Sequence, residues 1–163
     1  MESACPGCGV ILDHREGPSH DYMLSSAGCW ERYGLILARE YENPVLFAAA
    51  HRWTVDAYAL QHPGLQDERR AYRSVRMHYV SLHLIFEHGR SHRAATAALQ
   101  KLAKLDYLPL PERPASFSLS SDHVLAAERS EHVERVEAWA RSAYQDWNTL
   151  RPFADEVIAR LGL

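Results

Sequence analysis

Cysteine is scarce in this chain: three residues in 163, an odd number and too few for a disulfide framework. Free thiols or metal ligands are the expected use. Long apolar runs are also missing. The strongest, Tyr79 to Phe86, falls far short of the ~20 residues that a bilayer-spanning helix needs, which excludes a helical membrane span. Neither sign of charge dominates, and a formal charge of −3 gives no general attraction to nucleic acid or anionic lipid. There is no Gly-rich phosphate loop, no internal repeat and no convincing run of alternating strand residues. The first residues offer Cys, Pro and Gly where a secretory signal has a basic start and an apolar run, so a cytoplasmic location is expected. What is present is ordinary for a globular protein, 47% apolar and 24% charged, at a length suited to one domain.

Helical periodicity fills most of the chain after the first two dozen residues. Trp30, Tyr33, Leu37 and Tyr41 recur at helical spacing over about Cys29 to Tyr41. Asn43-Pro44 is a cap followed by a proline at the first helical position, and predicts a helix from Pro44 to His62 stopped by Pro63-Gly64. Its inward stripe is Phe47, His51, Val55, Tyr58 and His62. A third helix is expected from about Asp67 to His88, ending at Gly89, with Ala71, Val75, His78, Leu82 and Ile85 on one face. Ser91 can cap a fourth through about Leu105. Ser130 can cap a long helix through Val133, Val136, Ala140, Ala143 and Trp147, and Pro152 to Leu161 closes the chain. Trp139, Tyr144 and Trp147 read as core rather than as a ligand platform. The expected architecture is an all-α single domain of about five helices. It divides into a metal-binding loop (1–28), a four-helix core (29–105), a Pro/Ser-rich connection (106–129) and C-terminal helices (130–163).

Cys5-Pro6-Gly7-Cys8-Gly9 carries the strongest chemical signal, because two thiolates on a tight turn can grip one metal ion. Zinc is the metal expected. The same spacing serves a redox dithiol, but that chemistry belongs at a helix start after a strand, and neither is visible here. Cys29, the remaining cysteine, sits at a helix start where the dipole favours a thiolate. A neutral imidazole suits the fourth position, and His51, on the inward stripe of the next helix, is the expected ligand. His14 and His20 in the N-terminal loop are alternatives, and a hydrogen-bonded core histidine is the bland reading of His51.

A second constellation comprises Asp56, Tyr58, His62 and His78. At about 100° per residue, Tyr58 and His62 share a face with His51, whereas Asp56 points about 140° away. If the third helix packs antiparallel to the second, His78 meets His51 or His62. The result is either a His-rich pocket for a second metal or a small molecule, with Asp56 or a histidine as base, or a polar network inside the bundle. The basic stretch Arg90, His92, Arg93, Lys101 and Lys104 reads as a solvated face, and Ser25-Ser26 lacks the spacing of a triad.

Several strings together resemble a known family. They are Cys5-Pro6-x-Cys8-Gly9, Gly17-Pro18-x-His20-x-Tyr22, Ser26-Ala27-Gly28-Cys29-Trp30, His51-x-x-Thr54-Val55-Asp56-Ala57-Tyr58-x-x-Gln61-His62-Pro63-Gly64 and Trp139-Ala140. They resemble a family of small, mostly bacterial proteins catalogued as a domain of unknown function, over nearly the whole chain. The resemblance implies no activity and supports only the fold and the choice of positions. Arg73 stands where the family pattern has Gln, with His78 as the matching histidine. His83 and His88 fall outside the pattern, which makes them weaker metal-ligand candidates. Three functions follow as alternatives: a zinc protein with a hydrolytic or small-molecule pocket, a non-catalytic interaction module with a structural zinc, or a zinc-thiolate redox sensor.

Overall fold

In a computed structural model of the chain, residues 1–65, 68–105 and 109–163 are described. Asp67, the expected start of the third helix, and residues 106–108 of the Pro/Ser-rich connection lie outside them. The described residues form a mostly helical protein with one small two-stranded sheet. Strands β1 (Glu2–Ala4) and β2 (Ile11–Asp13) are antiparallel, with Ser3 opposite Leu12. Seven α-helices follow: α1 (Ala27–Tyr41), α2 (Pro44–Gln61), α3 (Arg69–Phe86), α4 (His92–Leu102), α5 (Ser121–Leu125), α6 (His132–Asp146) and α7 (Arg151–Leu161).

Two of these elements depart from the sequence reading. The expected irregular N-terminus contains a hairpin whose strands are three residues each, and Leu12 is their only buried residue, so they leave no alternating pattern to detect. Inside the Pro/Ser-rich connection, Ser120 accepts a hydrogen bond from the Asp122 backbone N–H and starts α5, which buries Val124. One helix thus comes from a segment read as extended, and there are seven α-helices among the described residues rather than about five.

The remaining helices arise where caps and apolar stripes coincide. Ser26 accepts from the Cys29 N–H to open α1, whose buried stripe is Cys29, Tyr33, Ile36 and Glu40. Asn43 accepts from Val45 and Leu46 N–H to open α2, and only Glu42 and Asn43 separate the two helices. They therefore run antiparallel: the start of α1 faces the end of α2. The second half of α2 is buried on every side, Asp56 to Gln61 without a break, because α1, α3, α4 and α6 all pack on it. Trp139 and Trp147 are fully buried against it, and their indole N–H groups donate to Gln61 Oε1 and the Leu60 carbonyl at 2.9 and 2.8 Å. No described helix is long and apolar enough to cross a membrane.

Candidate functional site

The turn between β1 and β2 is the Cys5–Val10 loop. Cys5 N–H donates to the Val10 carbonyl at 2.8 Å and Gly9 N–H to the Cys5 carbonyl at 2.9 Å, with Gly9 at a φ of 78° that favours glycine. This fold-back turns both sulfurs inward, where Cys5 is 2% and Cys8 7% exposed. They meet Cys29 from the first turn of α1 and His62 from the end of α2. Cys8 Sγ is 3.7 Å from Cys29 Sγ, and Cys29 Sγ is 3.2 Å from His62 Nε2. The ligand atoms of Cys5, Cys8, Cys29 and His62 all lie within 4.8 Å of one another, and all four residues are buried.

Surrounding groups prepare this cluster for a cation. His62 Nδ1–H donates to the Tyr58 carbonyl at 2.8 Å, which leaves the lone pair of Nε2 facing the sulfurs. The Ser26 backbone N–H donates to Cys5 Sγ at 3.4 Å, the kind of contact that supports a thiolate. Hydrogen bonds from Cys29 first and Cys8 second hold the Cys5 thiol far below the usual thiol range. Cys29 is raised by the same contacts, to Cys5 and then Cys8, and by burial. Cys8 is lowered by Cys29, yet its contact with Cys5 and its burial push it up to about 12. Three sulfurs and one imidazole, all buried and within 4.8 Å of one another, make a donor set that suits a tetrahedral metal ion. Gly7 completes the fit: a Cβ there would stand 2.2 Å from the Leu24 carbonyl oxygen and 2.3 Å from His62 Cδ2.

His51, the expected fourth ligand, is elsewhere. Its Nδ1 lies 2.8 Å from Glu40 Oε2, and its ring stacks on Phe47. Glu40 is fully buried and also accepts from Thr54 Oγ1 and from His132 Nε2 at 3.2 Å. Burial on its own would raise the Glu40 carboxyl, but the hydrogen bonds from His132, His51 and Thr54 hold it below its usual range. His14 and His20 do not join the cluster; His20 packs on Tyr22 and Trp30.

The structure also divides the pocket expected from Asp56, Tyr58, His62 and His78. Tyr58 stacks on the His62 ring at 3.9 Å and on Tyr33 at 4.0 Å, so these two residues form a wall of the sulfur cluster. Asp56 faces the other way and is fully buried. It accepts from Arg52, from Ser81 Oγ at 2.6 Å and from His78 Nδ1 at 2.6 Å. His78 reaches the surface and lines an open cavity of about 680 Å³ with Tyr22, Arg69, Arg70, Arg73, Ser74 and Met77. Arg70 and Arg73 are exposed and make no ion pair with a described residue.

Sequence reasoning missed Glu40 and His132, although Glu40 sits on the same stripe as Cys29, Tyr33 and Ile36 and so had to be buried. Neither the curated proteins nor the solved structures contain a match to this chain. Residues 3–148, which include the whole sulfur cluster and the Asp56–His78 pair, match a family of unknown function, DUF5946, and the chain belongs to that family.

Proposed function

We propose that this protein is a zinc-clasped binding module in which Cys5, Cys8, Cys29 and His62 hold one structural zinc. The observation that carries this reading is the closed donor set: four buried protein ligand atoms within 4.8 Å, three of them sulfur. Structural zinc sites have four protein ligands, whereas hydrolytic sites keep a position for water, so metal-assisted hydrolysis at this centre is disfavoured. The clasp ties three separate pieces of chain together: the hairpin turn, the start of α1 and the end of α2. Metal analysis of protein purified without added metal tests it. One zinc per chain is expected in the wild type and in His51→Ala, with loss in Cys5→Ser, Cys29→Ser and His62→Ala; a metal-free wild type sinks the reading.

A second observation favours small-molecule binding at the cavity beside His78. Asp56 fixes the His78 ring through Nδ1, leaving Nε2 for the cavity, and Arg70 and Arg73 add positive charge at its edge. That combination suits a small anionic ligand, with His78 as hydrogen-bond donor or general base. Titration with inorganic phosphate and pyrophosphate, in the wild type and in an Arg70→Ala/Arg73→Ala variant, tests it. Binding that is absent from the wild type, or unchanged in the variant, overturns it.

A further inference from the structure

A second group of metal-ligating atoms lies apart from the clasp, where the end of α3 meets α7. His83 Nε2, His88 and Asp155 present ligand atoms within 4.8 Å of one another. His83 is in the last turn of α3 and 1% exposed, Asp155 is in the second turn of α7, and His88 is two residues past the end of α3. Gly89, at a φ of 61°, reverses the chain so that the Arg90 N–H donates to the Leu84 carbonyl at 2.9 Å. This reversal holds His88 beside His83, with ring centroids 5.3 Å apart.

The hydrogen bonds around His83 offer Nε2 to a metal when Nδ1–H donates to Tyr144. Glu87 pairs with Arg151 at 2.7 Å. It takes the one hydroxyl proton of Tyr144, at 3.3 Å. The Tyr144 oxygen then accepts from His83 Nδ1–H, at 2.8 Å. In a neutral imidazole this leaves a bare lone pair on Nε2, and that lone pair faces another acceptor, Asp155 Oδ1, at 2.9 Å. In the opposite tautomer Nε2–H donates to Asp155 and the Tyr144 hydroxyl donates to Nδ1, so a metal at Nε2 selects the form in which Nδ1–H donates to Tyr144. A metal ion bound by Nε2 and Oδ1 would take the place of the proton shared there. Metal bonds of about 2.1 Å meeting at a right angle separate their ligand atoms by about 3 Å, so the pair fits two neighbouring ligands on one metal as well as it fits a hydrogen bond.

We propose that His83, His88 and Asp155 form a second, solvent-facing site for a divalent first-row transition-metal ion. Tyr144 acts as the positioning residue that fixes the His83 tautomer. Two imidazoles and one carboxylate suit zinc, iron, cobalt, nickel or copper, and three protein ligands leave positions for water or an exogenous ligand, unlike the clasp. The site is separate from the clasp, with which it shares no residue.

The test is calorimetric titration of full-length, zinc-loaded protein with cobalt(II) and nickel(II) alone. One further equivalent is expected to bind. His88→Ala and Asp155→Asn, both at exposed positions and so compatible with folding, should each weaken it at least tenfold. Tyr144→Phe should weaken it about tenfold, in line with other residues that orient a metal-binding histidine, with the clasp zinc content unchanged in all three. Cobalt in this site should show only weak nitrogen and oxygen ligand-field absorption. The proposal is overturned if no metal binds beyond the clasp zinc, if His88→Ala and Asp155→Asn bind as the wild type does, or if added cobalt shows thiolate charge-transfer bands, which mark exchange into the clasp.

Discussion

His62 Nε2 lies 3.2 Å from Cys29 Sγ, although the two residues are 33 positions apart. The contact exists because α1 and α2 form an antiparallel pair with a two-residue connection, so the first turn of one helix and the end of the other share a level. A metal held there, as proposed, would be worth more than a local staple. Apparent binding free energies of structural zinc run to about 10–16 kcal/mol at pH 7, comparable with the whole stability of a domain. Chelation should therefore lower Tm by roughly 10–20 °C, taking a loss of about 5 kcal/mol as a floor for a chain of this length. Thermal melts with and without a chelator check this, and Cys29→Ser should melt like the chelated wild type.

His51 and His62 show how far the sequence could be read. Eleven residues at about 100° each bring them to within about 20° of one face, so helical periodicity cannot choose between them. Their positions along the axis can, being about 16 Å apart at 1.5 Å per residue. Cys29 opens α1, so in an antiparallel pair only the far end of α2 reaches it, and that end is His62; His51 faces the last turns of α1 and finds Glu40 instead. The helix caps at Asn43 and Ser91 were legible because each is a local interaction with a fixed residue preference; Ser130, read as a cap on the same ground, lies instead in a 3-10 turn before α6, which starts at His132 with no side-chain cap. The hairpin was not legible, because its short strands are held by the turn and by contact with α1 rather than by a pattern of their own.

Gly7→Ala should damage the clasp without removing a ligand. The added methyl would lie 2.2 Å from a backbone carbonyl oxygen and 2.3 Å from the His62 ring, and neither can retreat without moving α2 or the Leu24 segment. Overpacking of this kind costs about 1–3 kcal/mol. The expected outcome is weaker zinc retention against a chromophoric chelator together with a lower Tm, while Gly9→Asn, at a position with open space, keeps its metal.

Asp56 should behave as a structural anchor whatever binds at the cavity. Its carboxylate is fully buried and accepts from Arg52, His78 and Ser81, drawn from α2 and α3. Removing it strands the Arg52 guanidinium and frees the His78 ring, and breaking a buried pair of this type costs about 3–5 kcal/mol. Asp56→Ala should lower the unfolding free energy by that amount, read as a lower urea midpoint at unchanged m, whereas His78→Ala, whose side chain is partly exposed, should lower it much less and still retain one zinc.

Glu40 gives the fold a specific acid limb. Burial opposes its charge, but hydrogen bonds from His132, His51 and Thr54 hold its folded-state carboxyl below its usual value of 4.5. A group lowered in the folded state adds stability that is fully present above the unfolded pKa and disappears as pH falls through the folded one. At pH 7, Glu40→Gln should therefore cost about 3 kcal/mol, the scale for breaking a buried charged network. As the pH drops below 4.5 the wild type begins to lose this contribution while the Gln variant has none to lose, so the gap between their stabilities narrows. Acid release of a metal from the proposed clasp would also destabilise the protein, but it would act on both proteins alike and cancel in the difference. Urea melts of the pair between pH 7 and pH 3 check the argument: a gap that stays constant, or widens, removes Glu40 as the charged centre of the network.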